Sequence, residues 1–114
     1  MNYRIEISSI AEAEADKAFL RLSQISSPIK ASQWYSGLLE AIASLSQMPK
    51  RCPLERENDL FSQELRQLLY GRGRSSYRVI FTILEEQNIS TVRILHIRHA
   101  YQQTIGEDPE LEET

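Results

Sequence analysis

The distribution of hydrophobic and polar residues along the chain predicts one short strand, two helices and then three more strands. Residues 2–7, NYRIEI, alternate polar and apolar side chains, which is expected of a strand with one buried face. Two stretches follow in which apolar residues recur every three or four positions, the spacing of amphipathic helices. Their apolar positions are Ala11, Ala15, Ala18, Phe19, Leu22 and Ile25 in the first stretch, and Ala31, Trp34, Tyr35, Leu38, Ile42 and Leu45 in the second.

Local signals predict where the two helices begin and end. Ser9 and Glu12 have the spacing of a capping box, so the first helix is predicted to begin at Ser9. Ser27 is predicted to cap the second helix, with Pro28 in its first turn, where a proline costs no hydrogen bond. Met48-Pro49 is predicted to end that helix. Because the link between the helices is so short, they must lie antiparallel, as a helical hairpin.

The second half of the chain has the pattern of an antiparallel sheet. Residues 50–63 show no clean period and are predicted to form an ordered loop, with one helical turn near Asp59. The strands predicted after it are 64–70, 77–84 and 90–98, joined by turns at 71–76 and 85–88. The predicted fold class is therefore α+β: an N-terminal strand, an antiparallel helical hairpin and a three-stranded antiparallel meander, with the helices on one sheet face.

Length and composition indicate one small globular domain followed by a polar tail. The chain has 114 residues, of which 41% are hydrophobic and 25% charged, and we assign residues 1–106 to a single domain. Residues 107–114 hold five acids and no base, so we expect them to be mobile and removable without unfolding the domain. We expect no secretory signal, no membrane span, and a buried or half-buried Cys52 without an internal disulfide, which together fit a reduced cytoplasm.

The net charge of −3 conceals an uneven distribution. Residues 50–106 carry nine Lys and Arg, and both histidines, against six Asp and Glu, whereas the tail reverses that balance. A mildly basic region of this kind can serve a nucleic acid or an acidic protein partner. The charge pattern therefore permits polyanion binding without requiring it.

Alternation along the third predicted strand separates an apolar face from a polar one. Tyr77, Val79, Phe81 and Ile83 should face the helices, which places Arg78 on the opposite face, predicted to be open. Glu64 and Arg66 share a face of their strand, as do His96 and Arg98 of theirs, but the strand register decides whether they join Arg78. Joined, they would put a carboxylate, several guanidinium groups and an imidazole in one concavity.

Such a group of side chains has the chemistry needed to cleave RNA. The reaction requires a base for the ribose 2′-hydroxyl, a cation for the charged phosphorane and an acid for the leaving 5′-oxygen. The base would be Glu64 or a histidine, the cation Arg66 or Arg78, and the acid His96 or His99. Removal of Arg78 should then slow cleavage and leave folding intact. The candidates for holding the substrate are Arg74, Arg98 and Tyr101.

Structural roles explain the same residues without any catalysis. Arginine on an exposed strand face is commonly a solvated residue that discourages edge-to-edge aggregation. A single His96 in a half-apolar strand is commonly a hydrogen-bonded structural residue, and His99, at a strand end, is by default a surface residue. The sequence GRGR is not a phosphate-binding loop, because it lacks the GKS or GKT continuation and opens no helix.

The arrangement as a whole resembles the RelE/ParE superfamily of toxins from type II toxin–antitoxin systems. The matching segments are YRIEIS, ELRQLLYGRGRSSYRVIFTI and VRILHIRHA, within residues 2–103. The resemblance implies an antiparallel sheet under a helical hairpin, and an antitoxin, encoded nearby, whose segment wraps the toxin. We expect an apolar groove beside the helices and the sheet edge to receive an antitoxin helix or an added strand.

The resemblance implies two mechanisms. RelE-like members are metal-independent ribonucleases that cut messenger RNA, commonly on the ribosome, and this is our leading hypothesis from sequence. Arg78 resembles their central arginine and Arg66 a basic residue of the preceding strand, but Leu68 stands where RelE has a lysine. The residues His96, Arg98, His99 and Tyr101 lie where relatives place a C-terminal acid or stacking residue.

ParE-like members share the fold and poison DNA gyrase without cleaving RNA. The segment VRILHIR resembles their ending as well, and an acidic chain favours a protein target, because phosphate neutralisation drives affinity for nucleic acids. A third alternative is a member that is no longer toxic and only regulates. Neither mechanism implies a cofactor or a metal ion.

Overall fold

The strands and helices occur in the predicted order. A computed structural model of the protein describes residues 2–55 and 63–100. The elements are β1 (Arg4–Ile7), α1 (Ser9–Ile25), α2 (Pro28–Ala43), β2 (Arg66–Tyr70), β3 (Tyr77–Glu85) and β4 (Ser90–His99), with short 3₁₀ turns at Ser44–Ser46, Pro49–Arg51 and Gly73–Ser75. The turn predicted near Asp59 and the acidic tail lie outside the described residues.

Two predicted element boundaries and one helix cap are corrected by the structure. Helix α1 begins at Ser9, as predicted, but its N-cap is Ser8, because Ser8 has an extended backbone and its Oγ accepts the Ala11 N–H at 3.0 Å. Helix α2 ends at Ala43, and the chain continues to Arg51 in two 3₁₀ turns. Strand β2 begins at Arg66 and not at residue 64. The cap of α2 is confirmed, since Ser27 Oγ accepts the Lys30 N–H at 3.2 Å.

The four strands form one sheet in the order β1-β4-β3-β2. Strands β2, β3 and β4 make the predicted antiparallel meander, and β1 pairs parallel to β4. The hairpin of α1 and α2 packs on one face of this sheet. The buried residues between helices and sheet include Ala11, Ala15, Ala18, Leu22, Trp34, Leu38, Ile42, Val79, Phe81, Val92 and Ile94.

The opposite sheet face is not open at β3, contrary to prediction. Every residue of β3 from Tyr77 to Thr82 is buried, so the strand is covered on both faces. Residues 53–55 run antiparallel along β2, where Glu55 N–H donates to Leu65 O at 2.7 Å and Gln67 N–H donates to Pro53 O at 3.0 Å. This segment lacks a hydrophobic period, so the pattern of the sequence did not predict that it would pair with β2 and bring Glu55 to Arg78.

Of two further predictions, the burial of Cys52 is confirmed, whereas Ile25 does not lie in the buried part of the α1 stripe. Cys52 is buried in the helix-side core, as predicted, and burial raises the pKa of its thiol. Ile25, predicted as part of the apolar stripe of α1, is 61% exposed because it lies at the margin of that stripe in the last turn.

In the described part of the chain, no helix is long and apolar enough to cross a membrane.

Candidate functional site

Arg78 is a buried ion-pair residue, not an exposed cation. It lies on the sheet face away from the helices, as alternation predicts, but only 2% of its surface is exposed. Its Nη1 donates to Oε1 of Glu55, which is equally buried. Because a buried charge must be paired, each residue of this pair accounts for the presence of the other. The predicted open position of Arg78 is therefore wrong, and sequence reasoning missed Glu55.

Arg66 lies on the other side of the sheet. The register pairs it with Phe81, a residue of the helix-side core, and side chains paired across two strands share a face. Its Nη1 donates to Cys52 O at 2.7 Å, and its Nη2 contacts Glu64 Oε1 at 2.8 Å. Arg66 thus fastens the segment that follows α2 to the sheet, and it does not point toward Arg78.

The side chains predicted to cleave RNA are therefore not brought together. Glu64 and Arg66 form an ion pair on the helix side, whereas Arg78 is enclosed on the other side. His96 is paired with Ile80 across the strands and so belongs to the face of Arg78, but its ring is held at the sheet edge. Among these residues, a general base, a phosphate-binding cation and a general acid do not lie together in one exposed concavity.

Glu14 of helix α1 organises the C-terminal half of β4. One of its carboxylate oxygens accepts the Ile97 N–H at 2.9 Å and lies 3.3 Å from His96 Nδ1. The other oxygen lies 3.0 Å from Arg98 Nε. Glu14 is only 17% exposed, so these contacts are shielded from solvent. A signal was available in the sequence, because Glu14 is three residues after the buried Ala11 and such a carboxylate at the margin of an apolar stripe requires a partner.

This arrangement exists because β1 is shorter than β4. Pairing of β1 with β4 stops at Ile7 and Ile94, and Ser8 continues it by donating from N to Ile94 O at 3.0 Å and from Oγ to Leu95 O at 3.1 Å. Beyond that point no strand within residues 2–55 and 63–100 accompanies β4 on this side, and the Glu14 carboxylate accepts the Ile97 N–H that a neighbouring strand would otherwise bind. A register shift near Ile80 adds one residue to β4 at the same level.

His99 belongs to an aromatic cluster. Its ring lies 5.2 Å from that of Tyr77, which in turn lies 5.1 Å from Trp34. Burial raises the pKa of Tyr77, although a hydrogen bond with Arg21 acts in the opposite direction. The backbone of Arg74 forms part of the 3₁₀ turn Gly73–Ser75, and Tyr101 lies outside the described residues. The roles proposed for Arg74 and Tyr101 thus stay predictions.

An open groove lies between the outer sides of α1 and α2. Its cavity of about 340 Å³ is lined by Asp16, Phe19, Ser32, Tyr35 and Ser36. The rings of Phe19 and Tyr35 meet edge to face at 5.8 Å, and Tyr35 Oη donates to Asp16 Oδ1 at 3.2 Å. Burial and the nearby carboxylate of Asp16 raise the pKa of Tyr35. The groove thus has an aromatic floor and one acidic side.

The polar clusters of the described residues pair opposite charges and do not group metal ligands. Within residues 2–55 and 63–100, no three His, Cys, Asp or Glu side chains are grouped so that they could hold a metal ion. The polar clusters described above are ion pairs of one carboxylate with arginine or histidine.

Comparison with known proteins gives a family match and structural matches. Residues 5–102 match the family model described as the ParE toxin of the type II toxin–antitoxin system parDE. The fold is similar to a chain of the chromosomal ParDE toxin–antitoxin system from P. aeruginosa, with a TM-score of 0.67 and 18% sequence identity. That alignment covers 85% of this chain and 95% of the other. No curated protein matched the sequence.

Proposed function

The chain belongs to the ParE toxin family of type II toxin–antitoxin systems, and on that premise we propose that it arrests growth by binding and inhibiting DNA gyrase, without cleaving RNA. As the toxin component of such a module, it has a cognate antitoxin as partner. One observation carries the choice of mechanism: the basic residues of the supposed ribonuclease site lie on opposite faces of the sheet. This reverses the order of the two hypotheses that the sequence alone suggested.

Cleavage of RNA would need several groups around one phosphate. A general base, an acid and a cationic clamp must each reach the reacting atoms at hydrogen-bond distance. Arg78 is buried against Glu55, and Arg66 is engaged by the backbone of Cys52 on the opposite face. A phosphate could not contact both arginines without unfolding of the sheet. The net charge of −3 adds a further argument, because affinity for nucleic acids depends on released counterions.

Inhibition of a protein target makes different demands on the structure. It requires a rigid, exposed surface and no catalytic group, and the fold supplies such surfaces on the hairpin and along the end of β4. The sequence VRILHIR at residues 92–98, which resembles the ParE ending, forms most of β4. Purified chain should therefore inhibit DNA supercoiling by gyrase and leave a messenger RNA intact. Cleavage of the RNA with undisturbed supercoiling would refute this proposal.

The antitoxin is the partner that best fits the groove between α1 and α2. Apolar and aromatic side chains form its floor, and the acidic residues beside it, Glu12 and Asp16, are both on α1. An amphipathic antitoxin helix would place an apolar stripe on Phe19 and Tyr35, with basic residues along the flank that meets α1. Charge complementarity of this kind sets the orientation of the bound helix.

Filling the groove should prevent neutralisation without affecting the fold. Ser32 and its neighbour Gln33 are both exposed on α2, but only Ser32 lines the groove. Ser32→Trp should weaken antitoxin binding by about 10- to 100-fold, the cost of overpacking a well-fitted contact, whereas Gln33→Trp should change it less than about threefold. Titration calorimetry measures both affinities, and equal binding of the two variants would show that the antitoxin docks elsewhere.

A further inference from the structure

We propose that the turn between β2 and β3 binds an acidic surface of the protein target through Arg72. This turn, residues 71–76 with the sequence GRGRSS, is named the arginine turn. The inference rests on the proposed function, because it assumes that the target is a protein. It identifies the part of the toxin that contacts the target and the charge that the target presents there.

The arginine turn lies in a stretch of the chain without acidic residues. Residues 65–84 contain no Asp or Glu, but they contain the arginines Arg66, Arg72, Arg74 and Arg78. Arg66 and Arg78, which lie in the strands, are paired with the carboxylates of Glu64 and Glu55. The fold therefore accounts for the strand arginines, and Arg72 needs another explanation.

Arg72 is an exposed cation. Within residues 2–55 and 63–100, its side chain takes part in no hydrogen bond or ion pair. The residues on either side of it, Gly71 and Gly73, are exposed as well and have no side chains that could shield it. An arginine placed in this way can present its planar fork to a carboxylate of another molecule, with two parallel hydrogen bonds.

Hydrogen bonds and two glycines close the backbone of the arginine turn. Ser75 donates twice to Arg72 O, from its N at 3.0 Å and from its Oγ at 2.8 Å. Gly71 and Gly73 have positive φ angles of 98° and 53°, which other residues seldom adopt. At Gly71 a Cβ atom would also collide with Ser75 O. The turn thus fixes the point from which the Arg72 side chain extends, and a fixed backbone loses little entropy when a partner binds.

Two further hydrogen bonds place the arginine turn beside the end of β4. Trp34 Nε1 of α2 donates to Ser75 O at 3.2 Å. Ala100 N, which follows β4, donates to Ser76 O at 2.8 Å. The match to the ParE family extends beyond this point, to residue 102. The arginine turn therefore adjoins the segment whose removal we expect to abolish growth arrest.

The charge of the arginine turn determines the chemistry of its partner. Besides Arg72, Arg21 of α1 reaches this end of the sheet, where it is hydrogen-bonded to Tyr77, the residue after the turn. The groove assigned to the antitoxin has the opposite character, because Asp16 forms its acidic side. The groove thus selects basic residues and the arginine turn acidic ones, a contrast that assigns the turn to the target and the groove to the antitoxin.

A protein surface fits the arginine turn better than a nucleic acid does. Affinity for a nucleic acid depends on the number of phosphates that are neutralised, and the net charge of −3 opposes the approach of a polyanion. Leu69 of β2 is 64% exposed. It lies within about 10 Å of Arg72 along the chain, since a strand rises about 3.3 Å per residue. An apolar side chain at this place can contact a protein, whereas a phosphate offers it no contact.

Two glycine variants test whether the closed backbone positions Arg72. Gly71→Ala and Gly73→Ala both place an alanine at a positive φ, but only at Gly71 does the Cβ collide with Ser75 O. Gly71→Ala should raise hydrogen exchange at the Ser75 amide and lower affinity for the target by about tenfold, whereas Gly73→Ala should lower it less than about threefold. Parent affinity or unchanged exchange in Gly71→Ala would contradict this positioning role.

The decisive test reverses the charge of Arg72. Arg72→Glu alters the arginine turn, and Arg4→Glu, at an exposed position of β1, makes the same change in net charge. Binding to purified DNA gyrase is measured by surface plasmon resonance at low and at physiological salt. Binding to the antitoxin checks the folding of each variant, and binding to a single-stranded RNA of mixed sequence tests the alternative class of partner.

We expect Arg72→Glu to weaken gyrase binding by about tenfold or more at low salt and to flatten its salt dependence, with antitoxin binding unchanged. Arg72→Lys keeps the charge and loses the fork, so its affinity should fall by only about threefold. Arg4→Glu should stay within about twofold of the parent, because it lies outside the contact.

An Arg72→Glu variant that binds gyrase as the parent does, whether or not it loses binding to RNA, would overturn the role of the arginine turn and leave the proposed function standing. A parent chain that does not bind gyrase would overturn both.

Discussion

Arg78→Ala is expected to lower the free energy of unfolding by about 3–5 kcal/mol, the usual cost of leaving one member of a buried ion pair without its partner. Arg78 and Glu55 are both almost fully buried, so the substitution takes the arginine cation away from a buried carboxylate. Chemical denaturation monitored by circular dichroism measures the loss. The result differs from that of an exposed catalytic arginine, whose removal would slow a reaction and leave the fold unaffected.

Two further variants show whether the lost ion pair is the cause. Arg78→Met/Glu55→Met removes both charges and should recover most of the stability, because an apolar pair of similar volume often replaces a buried ion pair without loss. Arg93→Ala is the matched control, since Arg93 contacts Glu6 at 3.0 Å in an exposed pair and its loss should cost less than about 1 kcal/mol. Equal stability of Arg78→Ala and Arg93→Ala would contradict the structural role of Arg78.

Growth arrest should depend on the residues after β4, where the match to the family model ends, and not on single histidines. Under gyrase inhibition, His96→Ala and His99→Ala should each retain growth arrest within about threefold, whereas loss of a catalytic acid would slow RNA cleavage by about 100-fold. Removal of residues 101–114 should abolish growth arrest, because the family match extends to residue 102 and interfaces depend on residues such as Tyr101.

The matched control removes the acidic tail alone. Deletion of residues 107–114 leaves the family segment complete, so this variant should arrest growth and melt as the full chain does. Colony counts after induction measure toxicity, and thermal melts check folding. Arrest by the 101–114 deletion at the parent level would show that the segment after β4 does not contact the target, and a lost arrest in either histidine variant would favour the ribonuclease.

Features encoded by neighbouring residues could be predicted from the sequence. The hairpin link followed from Ser27 and Pro28, whose capping hydrogen bond is local, and the meander followed from β-branched strands separated by turn residues. Alternation in β3 also gave the correct face of Arg78. Such signals act within a few residues, and for that reason they need no knowledge of the tertiary structure.

The assembly of the site depended on contacts between distant parts of the chain. Arg78 is buried together with Glu55, which lies in a segment without a period, and the position of Arg66 depends on a register that alternation cannot fix. Glu14 contacts His96 of β4, which lies more than eighty positions further along the chain. Its place at the margin of the α1 stripe indicated that it needs a partner but did not identify which one.

The proposed poisoning of DNA gyrase is tested most directly by one measurement in cells. The parent chain is induced in cells, and chromosomal double-strand breaks are scored beside the integrity of messenger RNA, with co-expressed antitoxin as the control. We expect double-strand breaks with a DNA-damage response, intact messages, and rescue by the antitoxin. Cleaved messages in cells whose chromosomes stay intact would contradict the account.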